Sequence, residues 1–211
     1  MIAILVAKRV LSTSVVSIFF GVIGAHADCA FAPIDGQLIA MVGQQSSNGG
    51  ARAPLGLEIK QGTPTQVTTL DLRGEQQLML KYKGHLATEG HNFATGRDIN
   101  YSYEPISGSP WSLEVGSTST YRRILAANGT TFADDLMTQK IIGEGERTIG
   151  GCSLKTVAIG MEAKSNLNGN VVYVETLYSP AIGYSLEMHS TWTKDGVLQK
   201  HDFMVTELRT K

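Results

Sequence analysis

The chain has 211 residues, 18 of them basic and 19 acidic, with 42% hydrophobic and only 7% aromatic residues. A net charge of −1, with no basic run longer than Arg122-Arg123, excludes nucleic acid as a partner, because neutralising phosphates takes a basic face.

Residues 1–27 open with Lys8 and Arg9, continue through the apolar run VLSTSVVSIFFGVIG and end in Ala25-His26-Ala27. This is the pattern of a secretory signal peptide, with cleavage expected near Ala27. The run holds 15 residues, three of them serine, short of the roughly 20 that cross a bilayer. No stable membrane span is therefore expected after cleavage, and the product is expected to be soluble in a periplasmic or extracellular space. Cys29 follows His26, Ala27 and Asp28, which does not match the Leu-x-x-Cys of bacterial lipoprotein signals.

Cys29 and Cys152 are the only two cysteines, and in an exported chain an even count is expected to pair. Closing so long a loop restricts the unfolded chain by on the order of 5 kcal/mol. No Cys-x-x-Cys spacing points instead to a redox or zinc site.

The remaining 184 residues, 28–211, fit a single domain. Their 21 glycines separate short runs that alternate apolar and polar residues, the signature of many strands joined by turns. Residues 43–54, GQQSSNGGARAP, read as a flexible loop or hinge. Strands are predicted for LGLEIK from Leu55, TQVTTLDLR from Thr65, QLMLKYK with Leu78, Leu80 and Tyr82 on one face, and INYSY with Ile99, Tyr101 and Tyr103 aligned. GHLATEGHNFATG, residues 84–96, reads as a second irregular stretch.

Further strands are predicted at WSLEV, STYRRILA, SLKTVAIGMEA, NVVYVETLY, YSLEMHSTW and VLQKHDFMVTEL. TTFADDLMTQKII is left between helix and strand, with Phe132, Leu136 and Lys140 four apart. Turns are expected at Arg73-Gly74, Asn128-Gly129, Asn168-Gly169 and Asp195-Gly196, where Asn-Gly and Asp-Gly suit the positive φ angles of two-residue hairpins. A turn centred on Asp195-Gly196 sets Trp192 opposite Gln199, Ser190 opposite His201, Met188 opposite Phe203 and Leu186 opposite Val205 on an apolar face. The other face then pairs Thr191 with Lys200 and His189 with Asp202. A turn centred on Asn168-Gly169 sets Val174 opposite Ala163 and Glu162 opposite Glu175, whereas a four-residue turn would dissolve that carboxylate pair.

Candidate chemistry is sparse. Paired carboxylates can divide acid and base roles when burial or mutual repulsion raises one pKa, so Glu162 and Glu175 are candidates for a hydrolase. His189 and Asp202 could act as a base with its orienting carboxylate, but no Gly-x-Ser-x-Gly nucleophile accompanies them. His85 and His91 share a stretch with Glu89, a spacing compatible with a metal. There is no His-Glu-x-x-His motif, and IIGEGERTIGGC does not follow Gly-x-Gly-x-x-Gly; no cofactor is expected.

PWSLEVG (110–116), GEGERTIGGCSLKTVAI (143–159) and ETLYSPAIGYSLEMHS (175–190) together resemble a type of uncharacterised exported bacterial β-rich protein. The resemblance covers the C-terminal half and implies a curved antiparallel sheet closing into a barrel or half-barrel. It carries over no catalytic residue.

The expectation is therefore an all-β antiparallel fold, barrel-like, half-barrel or sandwich. Its expected function is non-catalytic binding of an apolar small molecule or an envelope protein partner. The alternative is a hydrolase using paired carboxylates or the His/Asp pair. An outer-membrane barrel suits the strand number, but the ending TELRTK and the few aromatics do not fit one.

Overall fold

The computed structural model describes residues 36–71 and 73–210. Residues 1–27 and Cys29 lie outside them. The described chain forms twelve antiparallel strands: β1 (Leu38–Ser47), β2 (Ala53–Lys60), β3 (Thr65–Leu70), β4 (Gln76–Lys83), β5 (Leu86–Asn92), β6 (Arg97–Ser107), β7 (Thr118–Ala127), β8 (Thr130–Ile149), β9 (Cys152–Ser165), β10 (Val171–Ser179), β11 (Tyr184–Lys194) and β12 (Val197–Thr210). Each strand pairs with its neighbour in sequence, and β1 pairs with β12, so the sheet closes into a barrel without an edge. Closure satisfies every strand on both sides and removes the unpaired rims that invite aggregation.

The turn chemistry sets the local register as the sequence predicts at Asp195-Gly196. Both residues have positive φ, 53° and 76°, and Met188 faces Phe203, His189 faces Asp202 and Trp192 faces Gln199. Asn128-Gly129 is the same kind of turn, with φ of 49° and 76°.

Four expectations need correction. The stretch 43–54 is mostly strand, split between β1 and β2, with only residues 48–52 connecting them. The stretch 84–96 contains β5, leaving a two-residue Gly84-His85 turn on one side. TTFADDLMTQKII lies wholly in β8, paired on both sides; its four-residue spacing is an even multiple of the strand period, which a strand satisfies as well as a helix does. WSLEV is not a strand but part of the β6–β7 connection, held by Ser112 N to Ser109 O at 3.1 Å and Ser117 N to Glu114 O at 3.0 Å.

The Asn168-Gly169 hairpin is also shifted. Ser165 N bonds Asn170 O at 2.8 Å and Gly169 N bonds Ser165 O at 2.9 Å, so Asn166-Leu167-Asn168-Gly169 form a four-residue turn. Val172, not Val174, faces Ala163, and Glu162 faces Tyr173. A shift of two residues preserves the faces but changes every partner.

Inside the barrel, alternating side chains form the core. Ile39, Met41, Leu57, Ile59, Leu186 and Val205 belong to one cluster, joined by Ile149 and Leu154 from the ends of the β8–β9 hairpin. This cluster fills the end where β1 begins and β12 finishes. Gly43 sits at a bulge in β1, where any Cβ would strike the Phe203 ring; only glycine lets that ring lie against the backbone. The outer wall carries Lys81 ion-paired to Glu89 and Arg122 ion-paired to Glu104 and Asp134. Among the described residues no helix is long and apolar enough to cross a membrane.

Candidate binding site

Against the apolar cluster, whose Phe203 it shares, lies a cavity of about 210 Å³ lined from inside the barrel. Period-two alternation aims its lining inward from most of the barrel. Tyr82 comes from β4, Tyr101 and Tyr103 from β6, Tyr121 and Arg123 from β7. Met137, Met161 and Met188 complete the wall from β8, β9 and β11, with Tyr184 and Phe203 beside them. The rings meet edge to face: Tyr82 and Tyr184 have centroids 5.5 Å apart, Tyr103 and Tyr121 5.7 Å, and Tyr184 and Phe203 6.4 Å. Edge-to-face contact sets the positive rim of one ring on the negative face of the next and is worth about 0.5–1.5 kcal/mol beyond burial. Trp111, from the β6–β7 connection, packs on Tyr103 at 5.3 Å and lies under the Lys83 ammonium at 5.0 Å.

The buried hydroxyls are mostly satisfied. The Tyr103 hydroxyl donates to Ala87 O at 2.6 Å, and the Tyr121 hydroxyl donates to Gln139 Oε1 at 3.3 Å. Gln139, only 1% exposed, donates through Nε2 to the Pro110 and Ser112 carbonyls. Its Oε1 also meets His85 Nε2 at 2.9 Å, so His85 is the donor there and its proton sits on Nε2. Nδ1 is buried without a partner among the described residues. Burial lowers the His85 pKa, partly offset by the Gln139 bond, and the ring stays neutral at pH 7.

Burial also raises the pKa values of Tyr82, Tyr101, Tyr103 and Tyr184, and pushes Tyr121 up to about 12. The Arg123 charge moderates the rise at Tyr101, Tyr103 and Tyr121, which places the guanidinium among those phenols. Arg123 is balanced by Asp135, whose side chain is 11% exposed. Nη2 bonds Asp135 Oδ2 at 2.6 Å and Nε bonds the same oxygen at 3.2 Å. The cavity wall is thus aromatic and thioether-rich, with one internally neutralised ion pair.

A second, open hollow of about 500 Å³ lies at the barrel end beside the β2–β3 and β10–β11 connections, bordered by Gln61, Thr65, Gly84 and Tyr178. Tyr178 packs on His85 at 5.9 Å, so this ring pair stands between the outer hollow and the interior cavity.

The structure separates most of the sequence-predicted site residues. Glu162 and Glu175 are exposed on the outer wall, and Glu175 faces Gly160 and His189 rather than Glu162. His189 Nδ1 and Asp202 Oδ1 are 2.8 Å apart as expected from the register, but their side chains are 54% and 46% exposed on the outside. His91 bonds Asp98 at 2.7 Å on the outer wall, while His85 faces the interior, so the two histidines do not converge. Among the described residues no three histidine, cysteine, aspartate or glutamate side chains gather as metal ligands. Cys152 opens β9, buried and not free. The inward phenols were legible in part, since alternation aligns Tyr101 with Tyr103; the Arg123–Asp135 pair and the role of Gln139 had no sequence signal.

No protein-family model and no curated protein matches the chain. Among solved structures it is similar to the hypothetical lipoprotein YmcC of Escherichia coli K12, with 13% identity, a TM-score of 0.44 and coverage of 78% of this chain and 86% of that one. It is also similar to a candidate lipoprotein from Parabacteroides distasonis, with 10% identity, a TM-score of 0.43 and coverage of 85% and 98%. At identities this low nothing is carried from either neighbour's description to this chain.

Proposed function

We propose that this protein is an exported, non-catalytic carrier that holds an apolar small molecule inside its barrel. The leader-like residues 1–27 with cleavage near Ala27, a periplasmic or extracellular destination and a Cys29–Cys152 disulfide belong to the same proposal. The observation that carries it is the interior cavity, walled by tyrosine rings and three methionines. Methionine side chains are adaptable and their sulfurs favour aromatic contacts, which suits a hold on ring-shaped guests. An engineered apolar cavity of about 150 Å³ is enough for benzene, so about 210 Å³ has room for a substituted single ring.

A hydrolase draws no comparable support. Glu162 and Glu175 lie diagonally rather than opposite one another on the exposed outer wall, and the His189–Asp202 pair is about half exposed.

Methyl-labelled methionine gives the test. Titrating toluene should shift the Met137, Met161 and Met188 methyl resonances saturably, and Met188→Trp, which fills the cavity, should weaken binding at least about tenfold. Absent saturation, or equal binding by the filled variant, would refute an interior site.

A further inference from the structure

The polar corner of the cavity narrows the class of guest. Both Arg123 bonds to Asp135 end on a single oxygen, Oδ2, so Nη1 keeps both of its N–H groups without a partner among the described residues. The neighbouring Tyr101 hydroxyl likewise has no hydrogen-bond partner among the described residues, whereas those of Tyr103 and Tyr121 are already donating. Tyr103 faces Arg123 directly across β6 and β7, and Tyr101 lies two residues further along the same inward face. Unused donors are thereby gathered at one side of an otherwise aromatic wall.

The charge at this corner is already balanced. Asp135 is buried and neutralises Arg123, and a second carboxylate brought in by a guest would be a desolvated charge without a counter-ion, which is unfavourable. An uncharged oxygen acceptor meets the same donors without that cost, because a hydrogen bond from an ionised donor is stronger than a neutral one and needs no net charge on the acceptor. The other titratable side chains of the wall, the tyrosines and His85, are neutral at pH 7, and burial raises the tyrosine pKa values and lowers that of His85.

We infer that the cavity selects uncharged single-ring or similarly compact apolar molecules bearing one carbonyl-type oxygen, with that oxygen at the Arg123–Tyr101 corner. This inference rests on the carrier reading above and adds the chemistry of its guest.

Three guests of nearly equal size separate the two ideas: acetophenone, ethylbenzene, which lacks the oxygen, and benzoate, which adds a charge. Measured by the same methionine methyl shifts at pH 7, acetophenone should bind at least about tenfold tighter than either of the others. Tyr101→Phe should reduce its advantage over ethylbenzene severalfold while leaving ethylbenzene affinity unchanged, and Arg123→Lys, which keeps the charge opposite Asp135 but loses the planar fork, should reduce it further. If ethylbenzene binds as tightly as acetophenone, or Tyr101→Phe leaves the advantage intact, the polar corner plays no part and the inference fails while the carrier reading stands. Preferential binding of benzoate would overturn the inference in the same way. If no guest saturates, both fall.

Discussion

At the residue scale, His85 is the side chain whose state most depends on the closed barrel. It occupies a two-residue turn, donates from Nε2 to Gln139 and buries Nδ1 without a partner among the described residues. Its folded pKa is lowered by burial, so below the ordinary histidine value near 6.5 the unfolded chain takes up a proton that the folded one refuses. Stability from this residue is complete above that value and is lost as the pH falls toward the folded pKa, with a slope of at most about 1.4 kcal/mol per pH unit. Urea unfolding of the native protein should show falling midpoints from pH 7 to pH 5, and His85→Gln, which retains a donor for Gln139, should flatten that segment. Asp134 acts in a different window. Its hydrogen bonds from Arg122 and Asn166 hold its pKa at about 2, so its contribution is present above about 4 and disappears only as the pH falls through about 2. The two effects are separable on a single pH series.

At the scale of elements, hairpin chemistry decides which side chains meet. The Asp195-Gly196 turn has positive φ at both central residues, and the β11–β12 partners follow from it. The β9–β10 hairpin contains the same kind of dipeptide, yet the turn is two residues wider because the Ser165 and Asn168 side chains hydrogen-bond the loop backbone, at Leu167 N and Asn170 N. Such side-chain bonds compete with the tight hairpin. Glu162 and Glu175 are in consequence solvated wall residues, and Glu162→Gln or Glu175→Gln should each change unfolding free energy by less than about 0.5 kcal/mol, as surface substitutions usually do. A stabilisation above about 1 kcal/mol on removing either charge would mean that the carboxylates repel one another after all.

At the scale of the whole molecule, the barrel depends on one non-local pairing, β1 with β12, from Ile39 opposite Thr210 to Ser47 opposite His201. All other strand pairs join neighbours in sequence. The chain enters β1 at the end occupied by the tip of the β8–β9 hairpin, since Ile39 and Ile149 share a cluster and Ile149 faces Cys152. A Cys29–Cys152 bond would hold the chain ahead of β1 at that end. Protein recovered from an oxidising secretory host and denatured without reductant should react with no thiol reagent, and reduction should lower its unfolding free energy by up to about 5 kcal/mol. A free thiol in the denatured, unreduced protein would remove the disulfide.

Local features were legible in the residues alone: strand chemistry, the inward faces of Tyr82, Tyr101 and Tyr103, and the register of the last hairpin, because period two and a two-residue turn act over a few residues. Strand number, closure and the width of the Asn168 turn were decided by the tertiary structure. Joining β1 to β12 brings together residues from opposite ends of the chain, and no short window of sequence encodes that contact. The cavity, the Arg123–Asp135 balance and the burial that lowers the His85 pKa exist only once that contact is made.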